Sequence, residues 1–258
     1  MNPRHVPMTL LMLAALLITS AANGQSLSLD WKSSPDRTWS GSDWNSNRLQ
    51  DWAVSDGQLR CINSRPRDPV RTTILLTREC DLSRGAFALA TEIAATWKGD
   101  AREGSFGGFL IGIGGAEVDH RIRSIVHDKP AADGGILAVM HPDGRVGFRD
   151  FTIGGGGGSW SIGGPLDKGR GFLLKNQVQN GDGGEGPWIL RLTLTQPLTN
   201  NPEPDPTYRV LLTATQVKSG NLISSASLSG VSAAQLSGSF GLASHLGGTN
   251  NSEGWSFK

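Results

Sequence analysis

Glu117 and Asp119 stand two positions apart in the run Glu117-Val118-Asp119-His120-Arg121-Ile122. On an extended strand, alternation would turn both carboxylates to one face. Retaining glycoside hydrolysis uses two carboxyl groups about 5 Å apart, one attacking the sugar and the other protonating the leaving oxygen. Here the position that should carry the acid/base is Ile122. The pair also follows Gly114-Gly115, a context that favours a loop. Asp119, Arg121 and His127 form a second polar group, followed by Lys129-Pro130. As a ligand site, the Arg and His would donate hydrogen bonds to sugar hydroxyls or an anion. As plain surface chemistry, they amount to an ion pair and a loop histidine.

Other reactive constellations do not assemble along the chain. The five histidines are His5, His120, His127, His141 and His245, none with a partner at a recognised metal-ligand spacing. A serine-nucleophile elbow needs Gly-x-Ser-x-Gly in a strand-turn-helix context. Gly104-Ser105-Phe106-Gly107 and Gly238-Ser239-Phe240-Gly241 miss that spacing, and both serines read as strand starts. Gly154 to Gly158 is a run of glycines without the Lys-Ser/Thr ending of a phosphate-cradling loop. The aromatic balance, eight Trp to one Tyr, is more telling. Trp39 and Trp44 lie among Ser, Gly and Asn, where an exposed indole could stack on a sugar ring. Trp52 and Trp188 sit in strand patterns and are expected in the core.

The elements that must position these residues are strands. Gln58 to Ile62 follows Asp56-Gly57, a tight-turn dipeptide. Thr72 to Thr77, Phe87 to Thr96 and Gly107 to Ile113 come next, the last with Phe109, Ile111 and Ile113 assigned to one face. Glycines on the other face, Gly108 and Gly112, mark close approach of something bulky. Gly135 to Met140 and Arg145 to Phe151 flank Pro142-Asp143-Gly144 as a hairpin. Trp188 to Thr195, Tyr208 to Val217, Leu222 to Leu228 and Ser239 to Ser244 complete the set, with a short helical turn at Ser232 to Leu236. Many strands, turn signals and no βαβ rhythm predict an all-β fold, a two-sheet antiparallel β-sandwich. Trp255 to Lys258 reads as the start of an alternating strand that is cut off, so the chain is expected to be the N-terminal piece of something longer.

A basic residue at Arg4, an apolar run from Met8 to Ile18 and small residues to Gly24 describe a secretory signal peptide, residues 1–24, cut before Gln25. The run is too short to span a bilayer, and no Cys follows it to take a lipid anchor. Residues 25–258 are then one domain, a size that a single β-sandwich commonly fills. Export leaves 23 basic and 23 acidic residues. That balance provides no basic stripe for nucleic acid or an anionic membrane. Arg65, Arg67 and Arg71, interrupted by Asp68, read as a solvated loop. Cys61 and Cys80 are the disulfide candidate; a bridge over about 20 residues would contribute roughly 3 kcal/mol in an oxidising compartment. A simple hairpin near Asp68 would set Cys61 opposite Thr73 or Ile74 instead, so both thiol states stay open.

The opening, Trp31-Lys-Ser-Ser-Pro-Asp-Arg-Thr-Trp39 and then Trp44 through Asp51-Trp52-Ala-Val-Ser-Asp-Gly-Gln-Leu-Arg-Cys61, resembles a concanavalin A-like (LamG-type) jelly-roll module. It is similar in particular to the module ahead of the catalytic domain in secreted bacterial PhoD-like metallophosphatases. Arg71 to Arg78, Gly108 to Gly112, Asp119 to Ser124 with His127, and Gly238 to His245 extend the resemblance over most of residues 30–258. It implies a concanavalin A-like jelly roll, secreted or periplasmic in a bacterium, with a glycan and a downstream catalytic domain as partners. No phosphatase metal motif occurs in these residues, so no phosphatase residue is carried over, no cofactor is expected in this chain, and a structural calcium is not indicated. The competing expectation is a glycoside hydrolase on a laminarinase-like jelly roll. Such enzymes carry Glu-x-Asp-x-x-Glu, of which this chain has Glu117 and Asp119 only.

Overall fold

At Asp56-Gly57 the backbone takes positive φ at both residues, 53° and 67°. That is the type I′ geometry matched to the twist of a two-residue hairpin. It folds β3 (Trp52–Ser55) onto β4 (Gln58–Cys61), setting Trp52 opposite Cys61 and Val54 opposite Leu59. The computed structural model describes residues 25–27, 31–64, 70–82, 85–96, 105–113, 134–150, 172–173, 178–179, 186–195, 207–246 and 253–258.

Two sheets account for the described strands. The larger, nine-stranded, runs β11 (Val178–Gln179), β14 (Leu222–Ser232), β13 (Thr207–Gln216), β12 (Trp188–Thr195), β6 (Phe87–Ala95), β16 (Trp255–Phe257), β4 and β3. β1 (Gln25–Leu27) lies parallel to β6 beside this path. The seven-stranded sheet runs β10 (Phe172–Leu173), β9 (Val146–Asp150), β8 (Gly134–Met140), β7 (Phe106–Ile113), β15 (Gly238–His245), β5 (Arg71–Cys80) and β2 (Trp44–Ser46). All other pairings are antiparallel, and the chain is an all-β, two-sheet antiparallel β-sandwich. A single helical turn, α1 (Ala233–Leu236), is started by a capping box in which Ser232 and Gln235 satisfy each other's backbone N–H.

Alternation explains which side chains meet. On β12, Trp188, Leu190, Leu192 and Leu194 are buried while Arg191 and Thr195 face out. They join Val210, Leu212 and Ala214 of β13, Leu89 and Ile93 of β6, and Phe109, Ile111 and Ile136 of the facing sheet in one inter-sheet core. The seven-stranded sheet carries a second apolar cluster: Val70, Ile74, Phe106, Leu110, Ile113, Leu137, Val139 and Ala243. These residues take the alternate positions of the same strands, so β7 is buried on both faces. Ile113 belongs to this second cluster rather than with Phe109 and Ile111, which corrects the sequence assignment. The cause is Gly112, whose φ of +70° breaks the alternation. A Cβ at Gly112 would strike the carbonyl oxygen of Gln235, so the glycine admits α1 against the strand.

The proposed disulfide does not form. Cys61 and Cys80 are separate buried thiols. Cys80 pairs with Gly238 at one end of β5. Cys61 hydrogen-bonds Ser244, whose partner on β5 is Arg71 at the other end. The six steps of β15 from Gly238 to Ser244 separate them, roughly 20 Å, whereas a bridge needs Cα atoms within about 7 Å. Burial pushes the Cys61 thiol up to about 11, against opposing pulls from the Ser244 hydrogen bond, Arg71 and the backbone at Asn63. Burial, with Glu79 nearby, raises Cys80 as well. Both thiols are therefore protonated and inert at neutral pH.

Candidate functional site

The loop from Arg37 to Trp44 lies against the rim of the sandwich and is pinned at each end. Arg37 and Val54 exchange backbone hydrogen bonds, each 2.9 Å. Arg37 Nη2 donates to the carbonyl of Ser40 at 3.0 Å, and its guanidinium packs across Gly41. Trp44 N donates to Gly41 O at 3.1 Å, and Leu76 N donates to Asp43 O at 2.8 Å. Ser40 Oγ and Ser46 Oγ lie 3.1 Å apart, and Ser46 Oγ donates to Thr73 Oγ1 at 2.9 Å. On this framework Trp39 is 38% exposed, with exposed Thr38, Ser42 and Asp43 as neighbours in the chain. A large aromatic held by a pre-ordered loop loses little freedom when it is stacked upon.

Beside the loop, β5 departs from its neighbour. Ser239 pairs with Glu79 and Gly241 with Ile74, so the single residue Phe240 faces the four residues Leu75 to Arg78. The extra length is a bulge. It leaves Leu76, Thr77 and Arg78 exposed on the side where Leu76 meets the Trp39 loop.

Of the sequence-derived candidates, Trp39 alone is described and exposed. Trp44 is a buried strand residue, 7% exposed, opposite Leu75. Its ring centroid lies 5.3 Å from that of Trp31, and it lines a narrow apolar gap with Leu89, Phe109, Phe240 and Leu242. It is core, not a platform. Asp119, Arg121 and His127, like Glu117 and the Gly154 to Gly158 run, lie outside the described residues.

Sequence reading missed a polar cluster between the sheets. Arg71, expected in a solvated loop, is fully buried on β5 and points inward. Its Nε donates to Asp51 Oδ2 at 2.6 Å, and Asn63 Nδ2 donates to Asp51 Oδ1 at 3.0 Å. Arg48 Nε stands 3.0 Å from the same Oδ2. Asp51 closes the 3-10 turn Leu49–Asp51, and its carbonyl accepts from Ile62 N. One carboxylate thus ties β5 of one sheet to the start of the β3–β4 hairpin of the other. Its partners are committed to one another, which makes it an inter-sheet clamp. The signal for it was the inward register of Arg71 in an alternating strand.

His141 heads the β8–β9 hairpin, bonded through its backbone to Arg145 and Gly144. Ser224 of β14 donates to the Gly144 carbonyl, joining the hairpin to the other sheet. Burial pulls the imidazole down to about 4, with Asp143 raising it and Arg145 lowering it further. The unfolded chain therefore takes up the proton first, and stability falls as pH drops from about 6.5 toward 4. The full shift sets a ceiling of about 3 kcal/mol, and partial exposure of the ring brings the expected loss to about 1–2 kcal/mol. Denaturant midpoints measured from pH 7.5 to 4 should show this decline, and His141→Gln should flatten it.

The class defined by these features is a two-sheet β-sandwich that, among the described residues, presents one exposed tryptophan on a fixed rim loop. Among the described residues, no three His, Cys, Asp or Glu side chains gather in a way that could hold a metal, and no described helix is long and apolar enough to cross a membrane. No family model matches the chain, and no curated protein matches it. Solved structures resemble it at low identity. A mutant form of the carbohydrate recognition domain of Emp46p is 14% identical with a TM-score of 0.46, over 84% of this chain and 85% of that one. The metal-free exoplasmic/lumenal domain of VIP36 is 9% identical with a TM-score of 0.47, over 85% and 87%. Its Ca2+/Man-bound form is 8% identical with a TM-score of 0.47, over 83% and 82%. At these values no residue role passes to this chain.

Proposed function

We propose that this chain is an exported, non-catalytic jelly-roll module that binds a glycan on the face of Trp39. In the fuller form of the proposal, it is the N-terminal part of a longer PhoD-like alkaline phosphatase or phosphodiesterase. The observation that carries the glycan reading is the exposed Trp39 indole on a loop fixed by Arg37, Gly41 and Asp43. Sugar rings present an apolar C–H face to such a surface, and their hydroxyls suit the nearby Ser, Thr and Asp side chains. Asp119, Arg121 and His127 are proposed as further hydrogen-bonding partners. The parent-chain reading is supported by the sequence resemblance spread over residues 30–258, and export by the leader pattern in residues 1–24.

A glycan array probed with residues 25–258 should show binding, and titration of the best ligand should weaken at least tenfold in Trp39→Ala, about 1.4 kcal/mol. The same substitution should change folding stability by no more than about 0.5 kcal/mol, as expected of an exposed side chain. Array binding that is indifferent to Trp39→Ala would refute the site. Hydrolysis of laminarin-type or phosphoester substrates by the purified chain, abolished by Glu117→Gln, would refute the non-catalytic reading.

A further inference from the structure

β16 is the last described strand, yet it lies inside the nine-stranded sheet, between β6 and β4. Its backbone is held on both sides. Glu92 N and Lys258 N donate to the carbonyls of Lys258 and Glu92, Thr96 N donates to Gly254 O, and Gly254 N donates to Cys61 O. Its side chains fill shaped spaces. Trp255 is fully buried, its indole lying on Gly107 of the opposite sheet, where any Cβ would collide with the ring. Phe257 is equally buried, 6.3 Å from Trp52 between ring centroids. Trp255 N donates to Ser244 Oγ at 3.1 Å, and Lys258 Nζ meets Glu92 Oε1 at 3.4 Å. A Cβ at Gly254 would collide with Ser244 Oγ and press on Cys61 Sγ. The slot therefore specifies a strand with no side chain, then an aromatic, a small residue, an aromatic and a cation.

We propose that the slot between β6 and β4 is a strand-binding site that accepts this segment in trans, its occupant being β16 of a second copy of this chain. Main-chain bonds on both edges provide affinity, and pockets for alternate side chains provide selectivity, as in β-strand addition. A second copy carries the one segment whose complementarity is already demonstrated. Exchange preserves each contact above and costs mainly the entropy of association. β15 lies in the seven-stranded sheet and β16 in the nine-stranded one, so β16 pairs with β6 and β4 and with no strand of the sheet that holds β15. This inference does not depend on the glycan reading.

The test uses residues 25–258 in two variants. Trp255→Ala keeps the slot and spoils the strand; Gly107→Trp keeps the strand and blocks the slot. Each alone should melt about 6–20 °C below the parent chain. Refolded together from denaturant, they should yield a heterodimer by native mass spectrometry, with a melting transition restored toward that of the parent. A pair in which the Gly107→Trp chain also carries Trp255→Ala should give none. A mixture that behaves as the two variants separately overturns the proposal. Should both variants precipitate, the parent chain is refolded with excess fluorescein-labelled Glu-Gly-Trp-Ser-Phe-Lys peptide. Label retained at one per chain supports the slot, and protein free of label overturns it.

Discussion

Asp51→Ala should lower folding stability by about 3–5 kcal/mol, the cost of leaving a buried charge without its partner. Arg71 has no route to solvent from its inward position, and Asp51 Oδ2 lies 2.6 Å from its Nε. The same carboxylate also receives Asn63 and faces Arg48, so one substitution strands several donors. Asp51→Asn keeps the shape but not the charge and should recover only part of the loss. The double variant Asp51→Leu with Arg71→Met should be less damaging than Asp51→Ala alone, because buried ion pairs often exchange for apolar groups at little cost. Denaturant unfolding of the parent, Asp51→Leu, Arg71→Met and the double variant gives the coupling directly. A loss under about 1 kcal/mol in Asp51→Ala would show that the sheets are not clamped there.

Trp255→Ala should cost about 3–5 kcal/mol, the usual range for removing a large buried aromatic. The indole spans the gap between sheets because Gly107 leaves room for it, so truncation opens a void bordered by backbone that cannot follow it inward. Gly107→Val should produce a comparable loss from the opposite side by forcing the ring out. Melting curves of the two single variants and their combination distinguish a shared cause: the double loss should fall well short of the sum, since both act on one contact.

The strand layout was legible because alternation is a local signal. Asp56-Gly57, the β8–β9 hairpin, the inward row of β12 and the short turn at Ser232 to Leu236 all lie within a few residues of what they determine. The errors have distant causes. Trp39 and Trp44 share a composition, and only the pairing of Trp44 with Leu75 separates the exposed ring from the buried one. A strand of three residues has no period to read. Arg71 looked like one of a group of loop arginines because its partner is twenty residues earlier and in the other sheet. The register of Ile113 was hidden in a single dihedral at Gly112.

The second apolar cluster limits where a hydrophilic guest can be met. Val70, Phe106, Leu110, Leu137, Val139 and Ala243 leave the broad side of the smaller sheet as dry as its interior. These side chains are themselves buried, so they offer a saccharide no surface to lie on. In the glycan reading proposed above, contact is thereby left to the perimeter, where Trp39 stands.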